Sequence, residues 1–101
     1  MKKFTLYDVY MQRKSYKTLQ IIKKLGEIIK EKRQNKNISC TELAYGFDID
    51  KGNLSRIENG LIDCKITTLW RISEALGLKP SKLINILEKS LGKDFKLSDE
   101  N

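Results

Sequence analysis

Histidine is absent from this chain of 101 residues, proline occurs once and cysteine twice. Without imidazole there is no Cys/His zinc finger, no Ser-His-Asp or Cys-His catalytic arrangement and no histidine general base. Cys40 and Cys64 alone cannot supply a four-thiolate zinc site. Two cysteines in a chain rich in lysine and glutamate predict reduced thiols, and counting leaves one disulfide open as the alternative. There is no run of about 18 apolar residues, so nothing reads as a membrane span. The opening, MKKFTLYDVYMQRKSYK, is basic but lacks the apolar stretch of a signal peptide. The expectation is a soluble cytoplasmic protein with no metal, no cofactor, no membrane partner and no enzymatic activity.

What the chain does have is positive charge. Its 20 Lys+Arg outnumber 13 Asp+Glu, a formal net charge of +7, which favours an anionic partner such as nucleic acid. The excess is not spread evenly. Residues 1–38 hold 11 basic and 3 acidic residues, a net of +8, whereas residues 39–88 come to −1 and residues 89–101 to zero. Any one lysine reads equally well as part of a solvated helix face. A whole segment at +8 is harder to explain so, because self-repulsion destabilises a compact domain unless an anion relieves it. With 40% hydrophobic residues the chain can build one modest core.

Periodicity predicts an all-α domain of four or five short helices. From Tyr16 to Asn35, Leu19, Ile22, Leu25, Ile29 and the stem of Lys32 recur at helical spacing, with Ile21 and Ile28 widening the stripe. Asn37 tolerates the left-handed position that ends such a helix. Ser39 then caps a second helix, with Glu42 completing a capping box. Gly46-Phe47-Asp48-Ile49 interrupts it. Asp50 caps a third helix, Lys51 to Asn59, which faces Leu54 and Ile57 inward and ends at Gly60. A fourth, Ile66 to Leu76, buries Ile66, Leu69, Ile72, Ala75 and Leu76 and ends at Gly77. Pro80 opens a fifth, reaching Glu88, with Leu83, Ile84 and Leu87 on one stripe. The best strand candidates, 4–10 and 94–97, are short and terminal, and the tail from 89 onward is expected to fray.

The informative stretch is residues 39–60, SCTELAYGFDIDKGNLSRIENG. Two short helices joined by a three-to-four-residue turn have the spacing of a helix-turn-helix. Ala44 fits where two helices cross closely, and Ile49 plugs the space after the turn. The outward face of the second helix carries Lys51, Gly52, Asn53, Ser55 and Arg56, short and polar enough to enter a DNA major groove about 12 Å wide. Any helix hairpin with one polar face would share this pattern.

From Leu25 to Leu87 the chain resembles the Cro/CI-type helix-turn-helix of the XRE family of phage repressors and bacterial regulators. The carrying segments are LGEIIKEKR at 25–33, ISCTELA at 38–44, LSRIENG at 54–60, TTLWRISEALGL at 67–78 and PSKL at 80–83. The resemblance implies a five-helix, lambda-repressor-like domain over 21–88, flanked by a basic extension at 1–20 and a tail at 89–101. It implies binding of double-stranded DNA through the third helix, a two-fold homodimer and a bacterial or phage origin, with the protein on the nucleoid when bound. Family positions place base reading on Lys51, Gly52, Ser55 and Arg56, with Arg56 the first choice for guanine. Asn53 falls at a phosphate or adenine position. Phosphate contacts are implied at Ser39, Cys40, Thr41, Asn59 and Lys65, and Arg33 and Glu58 stand where the family ties its first and third helices with a partly buried ion pair.

Several positions depart from the family pattern. Cys40 replaces the usual glutamine, a weak hydrogen-bonding substitute that shifts the contact to Ser39, Thr41 and the helix N-terminal amides. Asp48 replaces the turn glycine, and Lys32 stands where a leucine is usually buried. In the loop Leu61-Ile62-Asp63-Cys64-Lys65, only Lys65 suits phosphate, and the first two residues make an exposed apolar pair unless something covers them. Helix five, with Leu83, Ile84, Ile86 and Leu87, is the expected dimer face, while Trp70 reads as core or as an interface anchor. The leader offers a frayed end, a basic arm (Lys2, Lys3, Arg13, Lys14, Lys17) or an interface element (Phe4, Leu6, Tyr7, Val9, Tyr10, Met11). The resulting function is a sequence-specific regulator, most simply a repressor on a palindromic operator. The alternatives are an autorepressing antitoxin that also binds a toxin protein, a restriction–modification controller, and a protein-interaction module without DNA binding.

Overall fold

The computed structural model describes residues 15–99. Among the described residues five α-helices follow one another with no strand: α1 Tyr16–Asn35, α2 Cys40–Gly46, α3 Lys51–Glu58, α4 Ile66–Ala75 and α5 Pro80–Leu91, then a 3-10 turn at Leu97–Asp99. The leader residues Lys2, Lys3, Phe4, Leu6, Tyr7, Val9, Tyr10, Met11, Arg13 and Lys14 lie outside the described part.

Four of the five helices stop by one device. After α1, α2, α3 and α4 the chain places Asn37, Asp48, Gly60 and Gly77 in the left-handed region, at φ between 55° and 72°. An aliphatic residue follows each, and its N–H reaches back to close the helix: Ile38 to Arg33 O (3.5 Å), Ile49 to Ala44 O (3.0 Å), Leu61 to Arg56 O (2.8 Å) and Leu78 to Ser73 O (2.9 Å). These are Schellman closures, which satisfy carbonyls the helix itself leaves open and turn the chain sharply. The starts are equally local. Ser15, Ser39 and Asp50 each accept a hydrogen bond from the backbone N–H three residues on, and Pro80 occupies the first turn of α5.

Packing joins α1 to α3 and α5, α2 to α3 and α4, and α4 to α5. The core is Leu25, Ile28, Ile29, Leu43, Ala44, Ile49, Leu54, Ile57, Leu69, Ile72, Leu76, Leu83 and Leu87. Two helices meet closely at Gly26: a Cβ there would collide with the Ile57 carbonyl oxygen and lie 2.8 Å from that of Glu58. Ser73, wholly buried, satisfies its hydroxyl by donating to the Leu69 carbonyl at 2.8 Å.

Several expectations need correction. Ile66 begins α4 beyond the core layer and is 64% exposed, and Ala75 is only half-buried. Trp70, which follows the buried Leu69, is rotated about 100° from it around the helix and stays 54% exposed. On α5, Leu83 and Leu87 point into the chain's own core, because α5 closes against α1 and α4, so they cannot form a dimer face. Ile84 remains exposed and Ile86 half-buried. Helix α5 also runs past Glu88 to Leu91. Beyond it, Lys17 of α1 donates to the Lys96 carbonyl at 2.7 Å and stands 5.9 Å from the Phe95 ring, pinning a tail that composition marked as frayed.

Gly26 yields a test in which two effects have opposite sign. Replacing a mid-helix glycine by alanine gains up to about 1 kcal/mol in helix propensity, yet the added Cβ must force α1 off α3. Urea denaturation of Gly26→Ala is expected to show a net loss of roughly 2 kcal/mol.

Candidate nucleic-acid interface

The outward face is built on α2, α3 and the loop after α3. At its start Ser39 and Glu42 form a reciprocal capping box, Glu42 N–H to Ser39 Oγ and Ser39 N–H to Glu42 Oε1, both at 3.0 Å. The Ser39 backbone N–H, and with it the Ser39 hydroxyl, hold the Glu42 carboxyl below its ordinary range. Ser39 Oγ accepts in this box while its hydroxyl faces the Glu42 carboxyl. Thr41 beside it is exposed, whereas Cys40 is half-buried against the core, and desolvation raises its thiol pKa. The exposed hydroxyls at this helix start are those of Ser39 and Thr41. The second thiol, Cys64, is pushed up to about 11 by burial, and both cysteines are unlinked.

Ala44 and Ile49 are buried where α2 crosses α3. Asp50 caps α3 through the Asn53 N–H at 2.8 Å. On α3, Leu54, Ile57 and Glu58 face inward. Lys51, Asn53, Arg56 and Asn59 are exposed, with Gly52 and Ser55 partly so. The five positions expected to read bases therefore share one helix, and none of their side chains belongs to the core. Arg56 Nη1 donates to Asn53 Oδ1 at 3.0 Å, and Asn59 makes a long contact of 3.5 Å to Ser55 Oγ. Lys65 is exposed ahead of α4; Leu61 is exposed too, but Ile62 tucks against the core, so the loop carries one bare apolar side chain rather than two.

Behind this face lies the strongest polar contact of the described chain. Arg33 Nε donates to Glu58 Oε2 at 2.7 Å and Nη2 to Glu58 Oε1 at 2.9 Å, while Nη1 reaches the Ile38 carbonyl at 2.9 Å. The two side chains are 12% and 4% exposed. One guanidinium thereby joins α1, the α1–α2 loop and the last residue of α3. The hydrogen bonds to Glu58 are the main reason the Arg33 pKa is raised, against the opposing effect of burial.

Sequence reasoning missed Lys23. Its stem runs over Gly60, where a Cβ would come within 2.9 Å of Lys23 Cγ, so an exposed lysine of α1 is seated against the end of α3. Nothing local marks this, because its partner is far along the chain. Among the described residues no group of three or more His, Cys, Asp or Glu is placed to hold a metal ion, and no helix is long and apolar enough to cross a membrane.

The near-buried pair makes a quantitative expectation. Arg33→Ala or Glu58→Ala leaves one desolvated charge alone and should cost about 3–5 kcal/mol in urea unfolding. Replacing both by methionine should cost less than the sum of the two singles, since neither charge is then stranded.

Comparison with known proteins agrees with this geometry. The family model HTH_3, helix-turn-helix, matches residues 29–83, more than half of the chain. The ImmF control region 10 kDa protein of Bacillus phage phi105 is 41% identical over 56 residues. That match covers 55% of this chain and 62% of the relative, just under two thirds of the relative's length. Among solved structures, a mutant of the restriction–modification controller protein C.Esp1396I superposes with TM-score 0.65 at 25% identity, over 74% of this chain and 95% of that one. The clp gene regulator ClgR from C. glutamicum shares the fold, with TM-score 0.65 at 23% identity over 73% of this chain and 96% of its own. The chain belongs to the XRE-type helix-turn-helix family.

Proposed function

We propose that this regulator is a repressor that binds a palindromic operator as a homodimer, with α3 in the major groove of each half-site. The observation that carries the reading is the division of α3: Leu54, Ile57 and Glu58 are fixed inside, and Lys51, Gly52, Asn53, Ser55 and Arg56 are left on the outer surface. Arg56 takes guanine through O6 and N7, and Lys51 takes a neighbouring base or phosphate. Ser39, Thr41, Asn59 and Lys65 hold the backbone, joined by Lys23, whose stem lies against Gly60 at the end of α3. Cys40 adds its N–H rather than its thiol. A phage control-region protein among the relatives supports a regulatory role of this kind.

A two-fold dimer needs a self-complementary contact. The exposed pair Ile66 and Trp70, one turn apart on α4, is the apolar surface we assign to it, because an exposed tryptophan beside an aliphatic side chain makes a strong interface anchor. Half-sites then lie about one helical turn, or roughly 34 Å, apart. The antitoxin reading would need a toxin-binding surface, and this face is the one assigned here to the second copy.

Two experiments test these assignments. With an operator selected from random DNA, Arg56→Ala should lose about 1–3 kcal/mol of discrimination at one base pair. Lys65→Ala should weaken every sequence alike and lower the salt slope by about 1. No base preference and no salt dependence in the parent protein would contradict the proposal. In sedimentation, Trp70→Glu should be monomeric and should bind a full operator no better than a half-site.

A further inference from the structure

Arg56 does not extend freely from α3. Its side chain folds back toward the start of the helix, where Nη1 donates to Asn53 Oδ1 at 3.0 Å. There the guanidinium lies over Gly52: Nη1 and Nη2 come within 3.3 and 3.5 Å of the point a Cβ at that residue would occupy. From the other side Asp50 Oδ1 reaches within 3.2 Å of the same point, held in place by the Asn53 N–H. Space is what glycine provides here. The left-handed glycines are Gly60, Gly77 and Gly92, so the Gly52 backbone does not require it, and glycine inside a helix otherwise costs up to about 1 kcal/mol against alanine.

We infer that Gly52 and Asn53 are positioning residues for Arg56: they determine specificity by fixing its guanidinium, and neither reads a base itself. The inference rests on the proposal that α3 reads DNA. An arginine side chain loses about 2 kcal/mol of rotamer freedom when ordered. An arginine already held on its own helix pays less of that loss at the moment of binding. With Nη1 given to Asn53, the Nε–H and Nη2–H donors have no partner among the described residues. They form a parallel fork of the kind that fits guanine O6 and N7. Asn53, whose acceptor oxygen is committed to Arg56, is thereby removed from the adenine role its position suggested.

The test is a double-mutant cycle on the full-length protein, read as affinity for the selected operator and each of its single-base variants. Asn53→Ala should reduce discrimination about 3–10-fold, the worth of one hydrogen bond, at the same base pair affected by Arg56→Ala. In the Arg56→Ala background it should change discrimination less than about 2-fold, because there is no guanidinium left to place. Gly52→Ala should lose discrimination at that same base pair while its melting temperature holds or rises, a combination that damage to the fold would not give. A loss at a different base pair, additive with Arg56→Ala, would show that Asn53 reads a base directly and would overturn the inference. Unchanged discrimination in Asn53→Ala and Gly52→Ala overturns it as well. If the parent protein itself shows no base preference, the DNA-reading proposal fails and the inference fails with it.

Discussion

The bidentate contact between Arg33 and Glu58 is the constraint on which the outward face depends. Helix α3 has eight residues, far fewer than an isolated helix needs to persist in water. It is held by its caps, by the burial of Leu54 and Ile57, and by the anchoring of its last residue to α1. Gly26 lets α1 come close enough for that anchor, since a side chain there would meet the carbonyls of Ile57 and Glu58. Arg33 also holds the Ile38 carbonyl, immediately before the Ser39 cap of α2. The angle of α2 and the end of α3 are thus set by one cation.

If α3 reads DNA as proposed, holding DNA and reading it fall to different parts of the sequence. In the proposed reading the +8 of residues 1–38 supplies general attraction to phosphate, while residues 39–88 carry −1 and include the whole helix-turn-helix. Selectivity in such an arrangement comes from a few placed donors rather than from net charge. Lys23 links the two functions: it belongs to the basic segment, yet the fold seats it against Gly60 at the end of α3.

Local chemistry was the legible part of this fold. Asn37, Gly60 and Gly77 can be picked out as helix ends from residue type, and the capping box of Ser39 and Glu42 from spacing, because each is settled within a few residues, whereas Asp48 stands out only as the family's turn position. Helical periodicity shows where an apolar stripe lies but not what covers it. For that reason the stripe alone places Ile66 in the core and Leu83 and Leu87 at an interface, whereas their burial depends on where α4 and α5 meet the rest of the chain. Contacts between distant segments carry no local sign at all. Lys23 over Gly60, Lys17 on the tail, and the cradle of Arg56 each needed side chains in place. The Arg33–Glu58 pair is a long-range contact that was legible only because a family resemblance supplied it.

The central claim is that α3 reads guanine from the major groove in two symmetric half-sites. Methylation interference at guanine N7 on the selected operator tests it most directly, since N7 is the major-groove acceptor assigned to Arg56. The account predicts interference at one guanine in each half-site, the two separated by about one helical turn, and its disappearance in Arg56→Ala. Binding that tolerates N7 methylation at every guanine would contradict it.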